Sequence, residues 1–133
     1  MKNSLLLFPV LAATFTASAS TDKPTDAELN DWMAYLKSVS MPVTSEVCSP
    51  LLAGKAEYSE IAQRWLDAHA EEIKRGHDFA VAGTPKGRDF DQYYAAMQAD
   101  FKQKLIAKPD DAKLKICNES LQALQNGVAQ PGA

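Results

Sequence analysis

The two cysteines constrain the fold of this chain more than any other feature of its sequence. Cys48 lies in "SEVCSPLLAG" and Cys117 in "LKICNES", 69 positions apart, and there is no third cysteine. In an oxidising compartment, one intramolecular disulfide between them is the economical interpretation. A reactive redox pair usually has the closer Cys-x-x-Cys spacing, and a metal pair needs further His or Cys ligands nearby.

The N-terminal residues predict export into such a compartment. Lys2 supplies a positive start, residues 5–13 are almost wholly apolar, and "ASA" at 17–19 has the small-x-small form of a signal peptidase site. We predict a secretory signal peptide over 1–19, cleaved near Ala19, and a periplasmic or secreted mature protein. The alternative, an N-terminal structural helix, is disfavoured because this run has neither a cap nor an amphipathic period.

Length and charge suggest one domain that binds neither membrane nor nucleic acid. Removing 1–19 from 133 residues leaves 114, enough for a single helical domain over 20–127 with a flexible tail over 128–133. No later stretch approaches the roughly 20 apolar residues of a transmembrane helix. Losing Lys2 changes the net charge from −3 to −4, and the basic residues are scattered singly. Nucleic-acid binding requires clustered Lys and Arg, so we expect no nucleic-acid partner.

Amphipathic spacing predicts a first helix over 25–40. Thr25 followed by Glu28 has the form of a capping box. Pro42 and Pro50 predict that the next residues, 41–54, form an irregular connection with one short helical turn near Cys48. The apolar stripe of the first helix recurs at steps of three and four residues and consists of Leu29, Trp32, Met33, Leu36 and Val39.

Three further amphipathic segments follow. The second spans 56–76, where Gly76 has the character of a helix stop, and a turn-rich link over 77–87 leads to the third at 88–108, with Asp89 and Gln92 as a cap. The fourth spans 110–127 and ends at Gly127. No stretch alternates apolar and polar residues over the length of a strand. We therefore predict an all-α, small four-helix bundle-like domain of antiparallel neighbours, joined by the Cys48–Cys117 disulfide.

His69 and Glu72 are the candidate catalytic residues. His69 falls near the middle of the apolar stripe of the second helix, and Glu72 lies on the same face one turn later. A buried carboxylate beside an imidazole can act as an acid–base pair. The plainer interpretation, which we favour, is that these groups satisfy each other by hydrogen bonding without doing chemistry.

Other candidate chemistry is weakly supported by the sequence. With His77 as the only other histidine and no paired spacing, we expect no metal site and no cofactor. The segment "GTPKGRD" has glycines and two cations but no preceding strand, which favours a solvated connection over a phosphate-binding loop. Tyr35 and Tyr93 lie at the edges of their helical stripes, where an aromatic ring can bind a partner or can be a half-buried residue of the bundle.

These observations favour a non-catalytic protein over an enzyme. We predict that the mature protein binds another protein in the bacterial envelope, in an inhibitor or immunity-like role. The alternative is a small-ligand-binding or hydrolytic helical bundle that uses His69 and Glu72. The two hypotheses differ in what surrounds His69, because catalysis requires an accessible cavity there.

Overall fold

The computed structural model describes residues 23–54 and 57–129, and this part of the chain is helical apart from its connections. The predicted signal peptide, residues 55–56 and the end of the predicted tail lie outside the described residues. Every helix in the described ranges is too short or too polar to span a bilayer. The five helices are α1 (Asp26–Leu51), α2 (Tyr58–Ala68), α3 (Ala70–Ala82), α4 (Phe90–Ile106) and α5 (Asp110–Ala129).

The prediction of a disulfide-linked, all-α, four-helix bundle-like fold is confirmed. Cys48 of α1 and Cys117 of α5 are bonded, with Cα atoms 5.3 Å apart, and neither residue is exposed. Both predicted caps are also present: Thr25 and Glu28 form the capping box of α1, and the Asp89 carboxylate accepts from the amide of Gln92. Capping side chains satisfy amides that have no partner within the helix.

The predicted irregular connection over 41–54 is wrong, because α1 continues to Leu51 through Pro42 and Pro50. A proline inside a helix removes one hydrogen bond and commonly breaks it. Here tertiary contacts hold the segment in helical form: Met41, Val43, Thr44 and Cys48 are buried. Gln98 of α4 also donates to the carbonyl of Val39 at 2.8 Å, close to the interrupted turn. Local propensity is therefore overridden by packing.

The second predicted helix is divided by a bend at His69, whose backbone has φ −109° and ψ 16°. The chain then continues as α3 to Ala82, so the predicted stop at Gly76 and link over 77–87 are wrong for 77–82. Gly76 is buried where α3 crosses α1, and a Cβ there would overlap the carbonyl of Asp31. Glycine permits a close helix crossing at this position and does not end the helix.

The helix stop predicted at Gly127 is also wrong, because α5 runs to Ala129. Val128, which the prediction placed in the flexible tail, packs against the core. A Cβ at Gly127 would lie 2.6 Å from the indole nitrogen of Trp65. As at Gly76, the glycine allows two helices to approach, a role that local sequence does not distinguish from capping.

The α2–α3 segment runs antiparallel to α1, as paired contacts at both ends show. The hydroxyls of Ser49 and Ser59 are 3.1 Å apart near the first turn of α2, and Arg75 of α3 pairs with Asp31 near the start of α1. α4 lies beside α1 and runs in the same direction, because Trp32 contacts Tyr94 near the start of both helices and Lys102 pairs with Glu46 near their ends. α5 lies beside α2, joined by a 2.7 Å contact between the hydroxyls of Ser120 and Tyr58.

α4 and α5 make little contact with each other, although both pack against α1. A closed bundle would bury the face of α1 between them. Instead Met33 is 59% exposed and Leu29 is 39% exposed, so these two members of the apolar stripe are not buried in the core. Among the described residues, the main core is the cluster of Ala34, Met41, Cys48, Leu52, Tyr58, Ala62, Trp65, Cys117 and Leu124.

Candidate functional site

The gap between α4 and α5 contains two grooves on either side of α1. The α1–α5 groove has a volume of about 710 Å³ and the α1–α4 groove about 370 Å³. Met33 and Lys37 line both grooves and form the ridge between them. We call this ridge together with the two grooves the open face.

His69 lies at the floor of the α1–α5 groove and is 4% exposed. Its imidazole stacks on Trp65 with ring centroids 4.4 Å apart. Nδ1 is 2.9 Å from Oε2 of Glu72, and Nε2 is 3.0 Å from the carbonyl oxygen of Gly127. The side chain thus ties the bend between α2 and α3 to the last turns of α5.

Both ring nitrogens of His69 face oxygen atoms. A neutral imidazole carries one N–H, so it can donate to only one of two acceptors. Each ring nitrogen is already within hydrogen-bond distance of a protein oxygen, and a role in acid–base catalysis stays an untested prediction.

The charged side chains around the α1–α5 groove are mostly paired with one another. Arg75 donates to both carboxylate oxygens of Asp31, at 2.8 and 3.0 Å, and this hydrogen bonding raises the pKa of Arg75. His69 pairs with Glu72. Lys37 differs: its ammonium nitrogen lies 5.0 Å from the centroid of the Trp65 ring, and no carboxylate in the described ranges pairs with it.

The α1–α4 groove is mainly apolar. Its lining is provided by adjacent turns of α1 and by the middle of α4, and it includes two methionines and one phenylalanine. Methionine is flexible and polarisable, so it adapts to different partner surfaces. The apolar side chains that line this groove are Met33, Leu36, Val39, Met97 and Phe101.

Tyr35 and Tyr93, the predicted partner-binding aromatics, lie away from the open face. Tyr35 is half-buried in an aromatic cluster and contacts the rings of His77, Phe90 and Tyr94. Tyr93 is 51% exposed and touches Tyr94 edge to face. Whether either residue binds a partner stays a prediction.

Burial raises the pKa of the Tyr35 phenol above its ordinary value of 10.0, and the nearby Tyr94 and Asp91 add to the effect. The folded protein therefore holds this proton more tightly than the unfolded chain does. We expect the free energy of unfolding to fall as the pH rises through about 10, because unfolding then releases the proton. Denaturant titrations from pH 8 to 11 test this; Tyr35→Phe should reduce the pH dependence and Tyr93→Phe should leave it in place.

Helical spacing correctly predicted that His69 and Glu72 lie together, but it did not reveal the open face. Met33 and Lys37 are four residues apart, which places them on one side of α1, yet the pattern of α1 alone does not reveal that α4 and α5 leave this side uncovered. In the described part of the chain, no three His, Cys, Asp or Glu side chains converge as metal ligands would.

Comparisons of the chain with protein-family models, curated proteins and solved structures yield no match.

Proposed function

We propose that the protein is a non-catalytic binding protein of the bacterial envelope, with an inhibitor or immunity-like role, and that its open face receives an amphipathic helix of a partner protein. The observation that supports this most is the exposure of Met33 at the ridge between two grooves. Large apolar side chains grouped at a concave surface are characteristic of protein-interaction sites.

The geometry favours a helix as the occupant. α4 and α5 both lie against α1 but make little contact with each other, so a further helix between them would complete the packing around α1. Grooves between helices commonly receive the apolar face of an amphipathic helix through anchors at i, i+3, i+4 and i+7. On the partner, such a stripe would contact Met33, Leu36 and Phe101.

Charge defines the partner helix further. Of the charged side chains that line the two grooves, Asp31 pairs with Arg75 and Glu72 with His69, while Lys37 has no carboxylate partner in the described ranges. A Glu or Asp on the partner helix, beside its apolar stripe, would pair with Lys37. Complementary charge at an interface favours the correct partner and the correct register.

Site-specific photocrosslinking in the native host tests this proposal. A photoreactive phenylalanine analogue at Met33 should crosslink to one partner, and mass spectrometry should locate the crosslink in an acidic amphipathic helix. The matched position is Ile106, which is apolar and 50% exposed but lines neither groove. Equal crosslinking from Met33 and Ile106 would show that exposure of the side chain alone explains the crosslinks. Crosslinks only to a second copy of this protein would show that the open face mediates self-association and does not bind a partner protein.

Charge reversal at Lys37 provides the second test. Lys37→Glu should weaken binding of the isolated partner by about tenfold or more, because it places like charges together. Substitution of lysine for the Glu or Asp of the partner helix that faces residue 37 should restore binding to the Lys37→Glu variant. Lys74→Glu is the control, since Lys74 is exposed and lines neither groove. Equal losses from the two variants would indicate a general effect of net charge and contradict the assigned register.

A further inference from the structure

A third cavity, which we call the aromatic pocket, lies on another side of α1. Its volume is about 340 Å³, and it is bordered by α1, the end of α3, the connection over 83–89 and the first two turns of α4. Ligand pockets commonly fall in the range of about 300–1,000 Å³, so this cavity suits a small molecule or a single side chain. Its lining includes Trp32, Phe79, Thr84, Arg88, Tyr93 and Tyr94.

The aromatic rings of the pocket hold one another in place. The indole N–H of Trp32 donates to the hydroxyl of Tyr94 over 3.4 Å, and the Trp32 and Phe79 ring centroids are 6.5 Å apart. Tyr93 meets Tyr94 edge to face at 5.1 Å. Four rings around one cavity offer a flat apolar or aromatic group a large contact area at low conformational cost.

Arg88 provides the single cationic side chain among the residues lining this pocket. A turn in which the Arg88 amide donates to the carbonyl of Pro85 fixes its backbone position. No carboxylate in the described ranges forms an ion pair with its guanidinium. The neighbouring Asp89 carboxylate accepts the Gln92 amide as the cap of α4.

We propose that the aromatic pocket binds an amphipathic carboxylate, a ligand with one aromatic or bulky apolar group and one carboxylate. The apolar group would lie among the rings, and the carboxylate would pair with Arg88. The planar guanidinium matches a carboxylate through two parallel hydrogen bonds. One cation also matches the single negative charge of a carboxylate better than the higher charge of a phosphate.

Two sources offer this chemistry: a free aromatic acid, and the C-terminus of a polypeptide that ends in an aromatic residue. The connection that carries Arg88 is the segment "GTPKGRD", whose sequence favours a solvated connection over a phosphate-binding loop. The proposal gives this connection a role without making it a phosphate-binding loop. It does not depend on the open face, because the two sites share no lining residue.

The two tryptophans make the test specific, since one lines each site: Trp32 the aromatic pocket and Trp65 the α1–α5 groove. In two-dimensional NMR, addition of 3-phenylpropionate should shift the Trp32 indole signal and leave the Trp65 signal in place. The neutral analogue 3-phenylpropionamide should bind at least about tenfold more weakly, because it lacks the charge-assisted hydrogen bond. A tripeptide ending in phenylalanine, with a free or an amidated C-terminus, tests the polypeptide source in the same way.

Two matched variants test whether Arg88 is the cation that binds the carboxylate of the ligand. Arg88→Gln should weaken binding by about tenfold or more, whereas Lys86→Gln, the same charge change two residues away and outside the lining, should have little effect. Binding of either the acid or the free-carboxylate peptide with this pattern supports the proposal and identifies the source. It is overturned if neither probe shifts Trp32, if amide and carboxylate bind equally, or if the two variants behave alike.

Discussion

Loss of the Cys48–Cys117 disulfide is expected to lower the free energy of unfolding by about 4 kcal/mol, the chain-entropy value for a loop closed over 69 residues. The free energy of unfolding of domains of this size is commonly about 5–15 kcal/mol, so the disulfide contributes a large part of the total stability. Denaturant unfolding of the Cys48→Ala/Cys117→Ala variant, compared with the oxidised protein, measures the difference. Addition of reductant should change the stability of the parent protein and leave the variant unaffected.

The burial of this disulfide predicts how quickly its cysteines can be reduced and alkylated. Both cysteines are completely buried, so reductant and alkylating reagents reach them only when the structure opens. We expect alkylation in dithiothreitol to be slow in the native protein and fast in denaturant. Equal stability with and without the disulfide, or free thiols in protein purified from its native compartment, would contradict the structural role assigned to the bond.

Substitution of Gly76 is expected to have the second largest effect. In an ordinary helix interior, Gly→Ala stabilises by about 1 kcal/mol. At Gly76 the added Cβ would overlap the carbonyl of Asp31 and lie 2.9 Å from Cβ of Tyr35, so α1 and α3 must separate. We expect Gly76→Ala to destabilise the protein by roughly 2–3 kcal/mol, within the usual cost of overpacking. Thermal and denaturant unfolding measure the change.

Gly83→Ala provides the matched control. Gly83 follows α3, and a Cβ there would have its nearest contact at 3.4 Å, an ordinary van der Waals distance. The change in stability should therefore stay within about 0.5 kcal/mol. If Gly76→Ala were as harmless as Gly83→Ala, the close crossing of α1 and α3 would not exist in solution.

Local sequence patterns predicted the helices well where apolar residues recur with the helical period or where a capping residue is present. The capping residues Thr25 and Asp89 were identified because a cap depends on residues three positions apart. The patterns failed at Pro42, Gly76 and Gly127, where a residue that often ends a helix lies inside one. At each of these positions, contacts with another helix decide the outcome, and those contacts are not encoded in the neighbouring residues.

In the candidate sites, too, local spacing predicted some contacts and helix packing produced the others. The proximity of His69 and Glu72 follows from their spacing on one helix, and the structure adds the third partner, the carbonyl of Gly127, from a distant segment. The aromatic pocket combines Trp32 with Arg88, 56 positions later in the chain. Such combinations arise from the packing of helices, so helical periodicity does not reveal them.

The sequence by itself determined that the chain forms amphipathic helices and that one disulfide is possible, because helix period, caps and cysteine count are local properties. Only the tertiary structure decided which apolar residues stay exposed. Met33 satisfies the periodicity of a core position, but burial also requires a neighbouring helix, and α4 and α5 leave that side of α1 uncovered. Burial depends on how the helices are arranged in space, and the open face follows from that arrangement.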